Sequence, residues 1–352
     1  MFNSEAVDKL IQSGLEDNTF PGAAISVGDK NGEIYRKIYG FRQIVPTTKP
    51  MEQDTMFDVA SLTKIVPTTM IALRLIQDGK LNLSASLGEF FNAQEDKRGI
   101  TISHLMTHTS GMPAHVLLQD LVKSPKDAID YLLGIDLLDA PGKAVVYSCL
   151  GFILLGKICE TLGGENLSTL AKKWVFDPLG LKTAGYCPDK SNSFAVTEFD
   201  HEASVWLEGT VHDENARFLG GVSANAGMFA NIQEMATLAM MLANKGSLGD
   251  AVIVQKPVFE HAIKNHTTHC PEGRGLGFEV KSTELISCGE VFPVGSYGHT
   301  GFTGTSLWVD IETSQYVVFL TNRVHPTREN IQHIPFRRKL HDLCAREYRG
   351  LK

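Results

Sequence analysis

The chain has 352 residues, 43% of them hydrophobic and 21% charged, the balance of a globular protein with a sizeable buried core. A net charge of −7, with no basic run longer than Arg337-Arg338-Lys339, argues against a nucleic-acid partner. No apolar run approaches the roughly 18 residues of a membrane span, and the first ten residues lack the basic-then-apolar layout of a secretion signal.

In chain order, residues 4–16 carry a helical period. Residues 23–28 and 33–41 are β-like runs joined by Asp29-Lys30-Asn31-Gly32, whose Asn-Gly favours a tight hairpin. Residues 47–54 read as a polar loop containing proline. From Ser61 to about Asn244 the pattern is mostly helical with long loops: 65–78, 101–107, 125–134, 148–162, 167–175 and 231–244. After residue 275, short β-like segments return at 277–281, 290–294, 305–311 and 316–321, and 327–348 reads as a closing helix. Blocks of strands and helices, rather than strict alternation, predict an α/β (α+β) fold with an antiparallel sheet flanked by helices. Both ends of the chain build the sheet part, about 1–60 and 245–352, around a helical subdomain of about 61–244, within one domain.

Chemistry first shows at Ala60-Ser61-Leu62-Thr63-Lys64. A serine and a lysine three apart on one helix are side-chain neighbours. A hydroxyl beside an amine able to take its proton is the minimum for a serine nucleophile, and a helix N-terminus offers free N–H groups to an oxyanion. The competing reading is a capping serine and a surface lysine, since about one S-x-x-K is expected by chance. Three later segments give the motif company: Pro141-Gly142 leading to Tyr147-Ser148-Cys149, the glycine-rich loop 219–229, and Gly298-His299-Thr300-Gly301-Phe302 just before a strand.

Together with the segment 102–112, and in this order, they resemble the serine β-lactamase and penicillin-binding-protein superfamily. The closer likeness is to its class C-like branch of D-alanyl carboxypeptidases, D-aminopeptidases and carboxylesterases, whose second motif is Y-x-N and third often H-x-G. The likeness covers about residues 5–345 and implies a β-lactamase/transpeptidase-like fold. It further implies that Ser61 forms an acyl-enzyme, that Lys64 and Tyr147 share the proton work, and that the N–H groups of Ser61 and Phe302 make an oxyanion hole. Cys149, His299, Thr300 and Gly301 would line the substrate, a small-molecule ester, amide or peptide, with no metal or cofactor. A lysine ammonium beside the phenol favours the phenolate, which makes Tyr147 a candidate general base, and the sequence leaves open whether it or Lys64 takes the proton.

Two residues depart from the pattern. Cys149 replaces the Asn, and a thiol donates and accepts weakly. His299 stands where antibiotic-hydrolysing β-lactamases have Lys, and a neutral imidazole attracts a carboxylate less than an ammonium does. Both favour a carboxylesterase or amidase. The alternatives are a D-alanyl-D-alanine carboxypeptidase, penicillin-binding protein or weak β-lactamase, and a non-enzymatic scaffold. The six cysteines include no C-x-x-C pair, so free thiols and a cytoplasmic enzyme are expected, and no low-pKa context is readable around Cys149. His104 and His108 lack the H-E-x-x-H pattern and read as hydrogen-bonding residues that order Ser110-Gly111. Residues 212–215 either rim a cleft or form a solvated loop, and the 219–228 glycines serve tight turns.

Overall fold

The computed structural model describes residues 2–282 and 286–351. Helix α1 (Ser4–Glu16) starts at an Asn3 cap and buries Val7 and Ile11. Strands β1 (Gly22–Asp29) and β2 (Gly32–Gln43) form the expected hairpin, with Asp29 opposite Gly32 and its carboxylate accepting the Asn31 N–H. A short β3 (Lys49–Pro50) lies inside the polar loop. The middle of the chain supplies α2 (Thr69–Gln77), α3 (Cys149–Gly163), α4 (Glu214–Phe218) and α5 (Ile232–Ala243). Strands β4 (Glu279–Val280), β5 (Tyr297–Thr300), β6 (Ser306–Val309) and β7 (Tyr316–Thr321) follow, and α6 (His333–Arg349) closes the chain.

The strands make one antiparallel sheet in the order β4-β5-β6-β7-β1-β2-β3. The two ends of the chain therefore meet at its centre, where Ala23 lies opposite Thr321. Strand β1 is buried on both faces, which explains its mainly apolar run, broken only by Ser26. Ala23, Ile25 and Val27 face α1 and α6, where the rings of Phe20, Phe319 and Phe336 interlock. Ala24 and Leu320 face the larger core beneath α2, α3 and α5.

Most helices fall within a few residues of the sequence expectation. The segment 290–294 does not form the expected strand. Glu290 and Val291 give their N–H groups to the Asp342 carboxylate on α6, at 2.7 and 2.8 Å, and Phe292 packs into the α6-side core. The closing helix starts at His333 rather than 327, because the Arg323 guanidinium holds the Arg328 and Asn330 carbonyls in a loop. A ribbon of Phe57–Asp58, Met228–Ala230 and Gly185–Tyr186, not foreseen from the sequence, carries the segment leading to Ser61.

Two outcomes are expected. Phe319→Ala removes a ring packed between two others and should cost about 3–5 kcal/mol, read by urea unfolding. His333 and His341 are each held down to about 3 by burial and then by neighbouring arginines. Unfolded histidines titrate near 6.5, so the unfolded chain takes up these protons first. Stability is then full above about 6.5 and falls as the pH drops toward 3, and His341→Gln should flatten that fall in unfolding curves recorded across the range.

Candidate active site

The turn carrying Ser61 is held from both sides. Ala60 adopts φ +48°, and its N–H donates to the Asp58 carboxylate at 2.9 Å. The other Asp58 oxygen accepts the His212 N–H at 2.7 Å. Burial of Asp58 raises its pKa, against the lowering effect of these N–H bonds. From the sheet side, Thr303 Oγ1 donates to the Asp58 carbonyl at 2.8 Å and Thr305 Oγ1 to the Val59 carbonyl at 3.0 Å. Gly301 lies where the two backbones touch. A Cβ there would stand 2.0 Å from Thr305 Oγ1 and 2.7 Å from the Val59 oxygen.

The helix expected from residue 65 is interrupted. Val66 is extended (φ −144°, ψ 113°), as a residue before proline prefers, and α2 begins only at Thr69. Ser61 and Lys64 still share one turn. Lys64 is fully buried, and its Nζ donates to Ser61 Oγ at 3.1 Å, Cys149 Sγ at 3.4 Å and the Asn225 carbonyl at 2.9 Å. Gly220, Gly221 and Gly227 do serve turns with positive φ. Their loop also supplies the Asn225 carbonyl, a contact that no local pattern announces.

Tyr147 lies beside Lys64, whose Nζ is 4.9 Å from the ring centroid, and between the rings of His108 and His299. Its hydroxyl is buried beside Lys64 and Ser61, close enough that hydrogen bonding to each pulls its pKa down, though it meets no strict hydrogen-bond geometry. Burial raises its pKa and outweighs the pull of Lys64, which works against the phenolate weighed from the sequence. Cys149 behaves in the opposite way. Burial pushes its thiol up, but Lys64 and a hydrogen bond with His115 bring it below its ordinary value. Its place as the first residue of α3 adds the positive end of a helix. The low-pKa context absent from the sequence thus comes from Lys64 and His115, which the fold brings together. Burial pulls Lys64 down, yet Cys149 and Tyr147 leave it raised.

His299 is buried, with Nδ1 2.7 Å from the Thr300 carbonyl. Burial and then Lys64 hold it down to about 3, so it is neutral. His108 Nδ1 accepts the Ser148 N–H at 3.0 Å, and His104 Nδ1 the Thr101 N–H at 3.2 Å, so both histidines order backbone, at Ser148 and Thr101 rather than at Ser110-Gly111. Two cavities meet at Ser61. One of about 310 Å³ is lined by His115, Cys149, His212, Asp213 and Glu214, which places the first three residues of 212–215 at the cleft while Asn215 is buried against the 116–118 segment. The other, of about 390 Å³, is lined by His299, Thr300 and Gly301 together with Arg274, Arg323 and Arg337. The sequence reading named the first three of these and missed the arginines, which come from separate elements. Among the described residues, neither the Ser61 N–H nor the Phe302 N–H has an acceptor.

The family model described as beta-lactamase matches residues 7–342. The chain belongs to the beta-lactamase family. It is 29% identical to an N-acetylmuramyl-L-alanine amidase of Bacillus subtilis, over 91% of this chain and 80% of the relative. It is 28% identical to a putative D-alanyl-D-alanine carboxypeptidase of Escherichia coli, over 92% and 84%. Among solved structures, EstCE1, a hydrolase with promiscuous acyltransferase activity, superposes with a TM-score of 0.78 at 22% identity, over 97% of this chain and 98% of its own. The octameric penicillin-binding protein homologue of Pyrococcus abyssi gives 0.73 at 21% identity, over 95% and 79%. This beta-lactamase-family chain is a serine hydrolase with the fold its motifs imply.

Gly301→Ala tests the close approach behind Ser61. It is expected to push the turn off the sheet and lower kcat/KM at least about tenfold, while the far-UV circular dichroism stays unchanged.

Proposed function

We propose that this beta-lactamase-family hydrolase is a carboxylesterase or amidase for small acyl substrates, working through an ester on Ser61. The observation that carries the reading is the 3.1 Å bond from Lys64 Nζ to Ser61 Oγ beside two N–H groups free to bind an oxyanion. Ser61 Oγ attacks the acyl carbon, and the Ser61 and Phe302 N–H groups receive the negative charge. The leaving group departs with a proton supplied through Lys64, and water then repeats the sequence to release the acid. Cys149 in place of an amide favours a substrate that needs no strong amide clamp. The six unpaired thiols fit a reducing, cytoplasmic setting.

One observation favours a second reading, a D-alanyl peptidase or penicillin-binding activity. Arg274 and Arg337 line the larger cavity, and the Nε of each is buried without a partner among the described residues. A substrate carboxylate, as on a peptide C-terminus or a penicillin, would satisfy them.

Intact-protein mass spectrometry separates the readings. A fluorophosphonate should add one phosphonyl group to the native chain and none to Ser61→Ala, whose turnover of an activated ester should fall at least about a thousandfold. Retained activity in that variant would sink the proposal. A stable penicillin adduct would favour the second reading, and labelling by neither reagent a non-enzymatic scaffold.

A further inference from the structure

We propose that His108 is a positioning residue for Tyr147: it holds the backbone on both sides of that tyrosine and packs against its ring, and so sets where the phenol oxygen stands against Lys64 and Ser61. The inference rests on the proposed Ser61 chemistry, in which Tyr147 shares the proton work with Lys64.

Tyr147 lies in residues 143–148, which belong to no helix or strand. Such a segment needs outside partners for its backbone, and His108 supplies the two that flank Tyr147. The His108 carbonyl accepts the Val146 N–H at 2.8 Å, and its Nδ1 accepts the Ser148 N–H at 3.0 Å. In an extended segment the N–H groups of residues i and i+2 point to one side, so a single residue can take both. His108 does so from a left-handed backbone (φ +58°), which is uncommon for a residue with a Cβ and is held here by its surroundings. The Thr109 carbonyl takes the Gly142 N–H at 2.7 Å and the Ala114 carbonyl takes the Cys149 N–H at 3.0 Å, so the two segments are tied at both ends.

The ring completes the clamp. It is buried, stacks on Phe152 of α3 at 5.1 Å and 26°, and lies 4.6 Å from the Tyr147 ring at 45°. Lys64 Nζ stands 4.9 Å from the centre of the Tyr147 ring and 5.7 Å from that of Phe152, so the three rings and the amine share one packed cluster. The tautomer follows from the contact with Ser148. A backbone N–H only donates, so Nδ1 carries the lone pair and the proton of the neutral ring sits on Nε2. Burial, then Arg274 and Lys64, hold His108 well below the usual imidazole range, which preserves that acceptor. A displacement of the phenol oxygen by about 1 Å is enough to slow a reaction about a hundredfold.

The test is a double-mutant cycle on turnover of an activated ester. His108→Phe keeps an aromatic ring beside Phe152 but offers no acceptor to the Ser148 N–H. It should lower kcat at least about tenfold with KM little changed. His108→Asn places an oxygen where Nδ1 stood and tolerates the left-handed backbone, so it should regain most of that loss. In a Tyr147→Phe background, His108→Phe should lower kcat no further, because the hydroxyl it positions is gone. His108→Leu removes the same acceptor and serves the cycle if His108→Phe fails to fold. Native kcat in His108→Phe, or a loss that recurs in full in the Tyr147→Phe background, would overturn the inference. Full activity in Tyr147→Phe would overturn it too, while an inactive Ser61→Ala would leave the proposed hydrolase standing. Activity in Ser61→Ala would instead discredit that hydrolase mechanism, on which the inference rests.

Discussion

Ser61 is positioned by a contact between two backbone turns that are distant in the chain. The 58–61 turn rests on the 301–305 turn, closest at Gly301, and two threonine hydroxyls bond across the seam. This works only because Gly301 lacks a Cβ and because β5 and β6 pair in a single register, His299 opposite Leu307. A slip of one residue would turn His299 away and bring a bulkier residue to the seam. The two N–H groups proposed as oxyanion donors depend on the same contact, since Ser61 lies on one turn and Phe302 on its neighbour.

Around this seam the site concentrates positive charge and limits it. Burying an ammonium such as Lys64 is costly unless acceptors replace its water, and a sulfur and two oxygens do so. His108 and His299 stand close enough to feel that charge, and burial with Lys64 and Arg274 keeps both neutral. The imidazoles therefore act as shape and hydrogen-bond groups, while the cationic work falls to Lys64 on one side of Ser61 and to arginines on the other.

What was legible in the sequence was local. Helix α1, the hairpin at Asn31-Gly32 and the Ser61–Lys64 spacing follow from periodicity, turn chemistry and helical neighbourhood, all set within a few residues. Tyr147, His299 and Phe302 were reached through the order of motifs. The remainder depends on approach through space. Residues 290–294 look like a strand because apolar character cannot reveal that Asp342 takes their N–H groups. Asp58, Asn225 and the arginine-lined cavity left no signal, since each acts on a partner far away in the chain. The anionic tendency of Cys149 was hidden for the same reason.

The meeting of the chain ends at the sheet centre has a consequence during synthesis. Gly22, at the start of β1, donates its N–H to Asn322 across 300 residues of chain. At about 5–20 residues per second, the ribosome delivers that partner only after tens of seconds. Through that interval β1 and β2 can form their hairpin but lack β7, and the apolar face of α5 waits without the sheet it helps to cover. Closure of so distant a pairing is slow for reasons of loop entropy. The nascent enzyme therefore spends its most aggregation-prone period with Ser61 already made and its surroundings not yet built.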